Sequence, residues 1–194
     1  MAILIAMFAR IERRSRAWIL TSAVLLGTPG ILTAQSGQVS EYELKAVFLF
    51  NFVQFVEWPP EAFSGAQAPL VIGVMGDDPF GRVLDETVSG ETVRQRPLQI
   101  RRYRGIDEIT TCHLLFISES EAEQLDEILA ALKDRSILTV SDDESFTRRG
   151  GVIRFVVDRS KIRFQINLEA AQAARLTVSS KLLRLAEIVG SGGR

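Results

Sequence analysis

Three short, uninterrupted apolar runs constrain this chain more than any other feature: 69–75 (Pro-Leu-Val-Ile-Gly-Val-Met), 112–117 (Cys-His-Leu-Leu-Phe-Ile) and 136–140 (Ser-Ile-Leu-Thr-Val). A strand with almost no polar residue has both faces covered, and sheets of that kind are parallel, with helices packed above and below. The stretches between the runs carry helix signals. Gly76-Asp77-Asp78-Pro79 predicts a helix with Asp78 as N-cap and Pro79 at its first position. Ser120 and Glu123 predict a capping box, followed by Leu125, Ile128, Leu129 and Leu132 at helical spacing through about Lys133. Strands separated by helices imply right-handed crossovers and a mainly parallel sheet.

The flanking segments complete the layers. Ser40 and Glu43 predict a first capping box, for a helix running to about Glu57 and ended by Trp58-Pro59-Pro60. Its apolar residues go nearly all the way round and leave a thin polar stripe of Lys45, Asn51, Gln54 and Glu57. Such a helix lies deep in a core or is partly covered by a partner. Residues 96–103 alternate apolar and polar or basic side chains, as a half-buried or edge strand does. Val152–Val157 and Ile162–Ile166, around the polar residues 158–161, predict a β-hairpin. Helices are expected over Leu168–Ala174 and Val178–Val189. The expected fold is α/β, a three-layer sandwich with a mixed, mainly parallel sheet and a C-terminal β-hairpin followed by helices.

The N-terminus is of a different character. Arg10, Arg13, Arg14 and Arg16 precede an apolar run, Ala17–Leu26, that ends in Gly27-Thr28-Pro29-Gly30. This charged, apolar, small-residue order is that of a secretory signal peptide, with cleavage expected after Ala34. The expected organisation is a leader over 1–34 and one domain over 35–194. An uncleaved anchor is the competing reading, although the run is shorter than the roughly 20 residues that span a bilayer. A start at Met7 would give a leader of more usual length. Loss of the leader shifts the balance from 23 basic and 24 acidic residues to 19 and 23, an acidic surface that argues against nucleic acid and membrane adhesion. Cys112 is the only cysteine, which leaves no internal disulfide and no acylated lipoprotein anchor after the apolar run.

The residues gather into no convincing active site. Any Ser-His or Cys-His mechanism would need His113, the only imidazole, and its neighbour Cys112 points to the opposite face of the expected strand. Asp77 and Asp78 sit where a phosphate loop would, yet without its Lys and Ser/Thr, and their charge opposes an anion. No catalytic residue, cofactor or metal is expected. Two basic stretches remain, one of Arg94, Arg96, Arg101, Arg102 and Arg104, the other of Arg148, Arg149, Arg154, Arg159, Lys161 and Arg163. They make either a solvated face or a surface for an acidic partner or small carboxylate.

In order and spacing, Lys45-Ala46-Val47-Phe48-Leu49, Phe55-Val56-Glu57-Trp58-Pro59, Val71-Ile72-Gly73-Val74, Cys112-His113-Leu114-Leu115-Phe116-Ile117, Ile137-Leu138-Thr139-Val140-Ser141-Asp142, Phe146 with Gly150-Gly151, Ile162-Arg163-Phe164-Gln165-Ile166-Asn167-Leu168 and Leu182-Leu183 resemble the YfiR-like periplasmic proteins. The resemblance covers about residues 40 to 190. It implies a non-catalytic periplasmic regulator that binds the sensor domain of an inner-membrane diguanylate cyclase, or another sensor protein, and keeps cyclic-di-GMP low. It also implies a homodimer, an outer-membrane lipoprotein that sequesters the regulator, and small aromatic ligands. A periplasmic small-molecule sensing module is the alternative. The surface expected to meet the partner is the hairpin and following helix, with Phe146, Phe164 and Leu168 as apolar anchors and Arg148, Arg154 and Arg163 as a polar rim. Core packing competes for the phenylalanines. Better-studied members carry several cysteines and internal disulfides; with Cys112 alone, that redox control does not carry over.

Overall fold

The computed structural model describes residues 40–159 and 161–190, so the leader expected over 1–34 lies outside the described residues. The Ser40 hydroxyl accepts the Glu43 N–H while the Glu43 carboxylate accepts the Ser40 N–H, the capping box read from the sequence. It opens α1 (Glu41–Phe55), which gives way to a two-residue strand, β1 (Val56–Glu57), before the prolines. Then come β2 (Leu70–Met75), α2 (Arg82–Val88), β3 (Thr92–Val93), β4 (Arg96–Tyr103), β5 (Leu114–Ile117), α3 (Leu125–Leu132), β6 (Leu138–Ser141), β7 (Ile153–Asp158), β8 (Lys161–Asn167), α4 (Leu168–Ala173), β9 (Thr177–Val178), α5 (Ser180–Leu183) and β10 (Glu187–Val189).

Eight of these strands form one sheet in the order β3-β4-β2-β5-β6-β7-β8-β10. From β4 to β7 every neighbour is parallel, as the apolar runs predict, and β3 and β8 add the antiparallel part. β1 and β9 form a separate antiparallel pair. Alternation along the strands sends side chains to two cores. Ile72, Val74, Leu114, Phe116, Leu138, Val140, Ile153 and Phe155 meet α1, α2, α4 and α5, while Met75, Leu115 and Ile117 meet α3 and Phe146 on the other face. Helix, sheet and helix are the three layers expected.

Several local expectations fail for identifiable reasons. The thin polar stripe of α1 is partly enclosed, Lys45 and Asn51 being 2% and 8% exposed. Lys45 Nζ lies 2.8 Å from Asp142 Oδ1, just beyond β6, and also reaches Glu41, so its charge is buried with partners. Asp78 does not cap α2: its Oδ1 accepts the N–H groups of Phe80 and Gly81 in a turn, and the helix starts after Gly81, whose φ is +52°. The Ser120–Glu123 box does not form, because a 3-10 segment, Glu119–Gln124, precedes α3 and the Ser120 hydroxyl accepts the Asp77 N–H instead. The last helix ends at Leu183 rather than Val189. Glu187-Ile188-Val189 forms β10, which lies parallel to β8 at Gln165–Asn167 and satisfies backbone groups that a sheet edge leaves open.

Candidate partner-binding surface

The antiparallel hairpin extends past the sheet that carries it. β7 and β8 pair from Ile153↔Ile166 to Asp158↔Lys161, a turn two residues tighter than the sequence suggests. On the outer side of β7, β6 reaches only to the pair Ser141↔Arg154; on the outer side of β8, β10 begins at Gln165. Residues 155–158 and 161–164 therefore form a two-stranded ribbon with no strand on either flank among the described residues. Its inner face is fixed to α1. Phe155 and Phe164 are 2% and 3% exposed, with ring centroids 5.6 and 5.1 Å from that of Phe52, and Phe48 completes the cluster.

The opposite face of the hairpin is polar. Arg154 and Gln165 are cross-strand partners and Gln165 faces Glu187 on β10; Arg154 Nη1 donates to Gln165 Oε1 at 3.3 Å, and Gln165 Nε2 to Glu187 Oε2 at 3.1 Å. Arg154 Nε is buried without a hydrogen-bond partner. Arg163 shares this face, is exposed, and lies 3.7 Å from Asp158 Oδ2.

Of the six residues expected to meet a partner, the structure brings Arg154 and Arg163 together on one face and leaves Arg148 exposed in the loop before β7. The apolar three are placed otherwise. Phe146 is fully buried against the α3 core, so tightly under Gly151 that a Cβ there would overlap its ring. Phe164 belongs to the α1 core, and Leu168 is half-buried against the same core. As surface anchors the two phenylalanines are corrected to core residues, because each supplies the large side chain that closes one side of the sheet. The apolar exposure is at Val157, which is 50% exposed on β7. No sequence signal marks it, since it closes an apolar run whose other members are buried or half-buried.

The other chemistry-bearing groups are occupied. His113 Nδ1 accepts the Val71 N–H at 3.0 Å and Nε2 lies 3.1 Å from the Ala62 carbonyl, so the neutral ring clips β2 to the turn after α1. Burial holds its pKa below the ordinary value, Arg96 adding to this and the bond to Ala62 opposing it. The Cys112 thiol donates to the Leu114 carbonyl, and burial pushes its pKa up to about 12. At the carboxyl ends of β2 and β5, where open α/β sheets hold ligands, the segment after β5 closes on Gly76: a Cβ there would meet Ser120 and Glu121. In the first basic stretch Arg94 pairs with Glu57 at 2.8 Å, and Arg96 binds the carbonyls of Gly65 and Ala68 and stacks over Phe63. Arg102 holds Asp78 at 2.7 Å and Asp85 at 2.6 Å, which keeps the Asp85 carboxyl below its usual range. Among the described residues no group of three or more His, Cys, Asp or Glu is placed to hold a metal, and no helix is long and apolar enough to cross a membrane.

Two solved structures align with parts of this chain. A conserved domain protein from Vibrio cholerae O1 biovar El Tor aligns with a TM-score of 0.51 at 12% identity, over 77% of this chain and 60% of that one. An ABC domain from Streptococcus pneumonia, solved in complex with L-Trp, aligns with a TM-score of 0.47 at 11% identity, over 62% of this chain and 55% of that one. This chain thus spans less than two thirds of the length of either. No curated protein matches it. A family profile described as YfiR/HmsC-like matches residues 42–187. The match begins in the first turn of α1 and ends on the first residue of β10, so it takes in all but the end of the sheet, and the chain belongs to the YfiR/HmsC-like family.

Proposed function

We propose that this protein is a periplasmic, non-catalytic adaptor that binds the sensor domain of an inner-membrane signalling enzyme, a diguanylate cyclase, and represses it, lowering cyclic-di-GMP. The observation that carries the reading is the family match over residues 42–187, which implies a periplasmic regulator of such an enzyme. The hairpin supports it by offering a rigid ribbon, mounted on α1, that ends in exposed cations and open backbone. The export-type N-terminus agrees with the location. A homodimer and sequestration by an outer-membrane lipoprotein belong to the same proposal.

Repression is differential binding. To move the sensor from 99:1 active to 1:99, the adaptor must prefer the inactive form by roughly 5.5 kcal/mol. The testing experiment is capture of the tagged full-length protein from native membranes in mild detergent, with mass spectrometry of what accompanies it. Recovery of a membrane diguanylate cyclase is the expected result; reproducible recovery of the protein alone, after cross-linking, contradicts it. One observation favours a second reading, a small-molecule sensing module. A cleft of about 360 Å³ opens beside α3 and α4, with Leu129, Val152 and Ala170 among its apolar walls and Lys133 and Arg135 among its cations. Ligand-dependent melting of the purified protein would favour that reading.

A further inference from the structure

The free ribbon has a definite hydrogen-bonding pattern. In an antiparallel pair, alternate residue pairs exchange backbone bonds, and the residues between them direct N–H and C=O outward. The Asn167 N–H donates to the Val152 carbonyl, which sets the phase: the bonded pairs are then 154/165, 156/163 and 158/161. Val157 and Ile162 therefore present their backbone groups to the outside, where no strand of the described residues lies beside them. Exposed edges are blunted by shortness, bulges or charge; this one is short and flanked by cations, so a segment that pairs with it must bring the opposite charge. This edge is pinned in place by Phe155 and Phe164, and Val157 on it is half exposed.

Charge selects what can pair there. Residues 154–163 carry Arg154, Arg159, Lys161 and Arg163 against Asp158 alone, in a chain whose remainder is acidic. On the β7 side, Arg154 keeps a buried Nε donor without an acceptor. A carboxylate arriving from a neighbouring strand would supply one.

From these observations we infer that the outer edge of β7 at Val157 receives an extended, acidic segment of a partner protein, which adds as a strand and places a carboxylate on the cationic face shared by Arg154 and Arg163. The inference rests on the adaptor reading for the partner's identity and on the ribbon alone for its chemistry. Strand addition supplies backbone bonds of little sequence preference; the arginines supply the preference for acid.

The test uses the purified full-length protein and a fluorescein-labelled, end-blocked peptide of nine residues alternating Glu and Thr, with a Lys-Thr peptide as control. The expected result is saturable, salt-sensitive anisotropy for the Glu-Thr peptide only. Val157→Pro removes the outward N–H at a position where the ladder makes no bond, so the fold is retained, and should weaken binding at least about tenfold, a loss of about 1.4 kcal/mol. Arg154→Gln should weaken it severalfold, and Ile162→Pro, on the other edge, should leave it unchanged. Circular dichroism confirms that each variant is folded. Equal binding of both peptides, no saturable binding, or loss in Ile162→Pro but not Val157→Pro overturns the inference. Membrane capture separates the two claims. If wild type and Val157→Pro recover the same cyclase equally, strand addition fails and the adaptor reading stands; if wild type recovers none, the adaptor reading fails while the peptide result still decides the edge.

Discussion

Arg102 and Arg163 come from basic stretches that look alike in sequence, each alternating with apolar strand positions, yet the fold treats them differently. Arg102 lies on β4 beside the turn before α2, where Asp78, Asp85 and the Gly81 carbonyl take up its guanidinium. Arg163 lies on the ribbon, where its one acidic neighbour is 3.7 Å away. Arg94, Arg96 and Arg102 of the first stretch are held by partners in the parallel half; in the second, Arg149 is likewise held by Asp126 at 2.6 Å, while Arg163 on the ribbon stays exposed. What separates them is which acidic side chains the topology brings opposite: a crossover connection places Asp78 and Asp85 beside β4, while nothing comparable among the described residues crosses over the hairpin.

The comparison can be broken most forcefully at Phe164. As a core residue it should cost about 3–5 kcal/mol when changed to Ala, measured by urea unfolding. A variant of near wild-type stability would mean the ribbon is not fixed to α1. A smaller effect separates the two arginines. Arg102→Ala should lose about 1 kcal/mol, since the bidentate site is partly exposed, whereas Arg163→Ala should stay within about 0.5 kcal/mol of wild type. Equal losses would erase the distinction.

A pH series sharpens the parallel half further. His113 has a folded pKa below its unfolded value of 6.5, so the unfolded chain binds the extra proton and stability falls as pH drops from about 6.5 through the folded value. This contribution is fully present above that window, and His113→Gln should flatten the decline. Asp85, also lowered but from 3.8, loses its contribution only in stronger acid, which keeps the two effects apart. The smallest expected signal is at Cys112. Buried and with its pKa raised to about 12, it should resist a thiol reagent at pH 8 in the folded protein and react fully in urea.

Local signals in the sequence hold for some elements and fail for others, as the Asp78 cap and the Ser120–Glu123 box show. The Ser40–Glu43 box, the buried strand Leu70–Met75 and the hairpin all follow from patterns a few residues long. The partner of Lys45 is not legible locally, because what buries its charge includes Asp142; Tyr42, in the same turn, bonds Asp142 across a hundred residues. β10 was read as helix because Leu182, Leu185, Ala186 and Val189 share a helical face, and the sheet edge that β10 completes cannot be seen from that segment. At the candidate surface the cations were legible and the anchors were not. Phe146 and Phe164 have the composition of a binding surface, but both face inward, a matter of strand register and of loop closure under Gly151. Val157 became visible only once β6 was seen to stop short beside β7.

The central claim is that the ribbon, and not the basic stretch of the parallel half, meets the membrane enzyme. A photo-crosslinking amino acid placed in living cells at Arg163, and separately at Arg102, tests it most directly. The account predicts a crosslink from position 163 to an inner-membrane diguanylate cyclase and none from position 102. A cyclase crosslink from position 102, or the protein's own chain as the sole product from position 163, would contradict it.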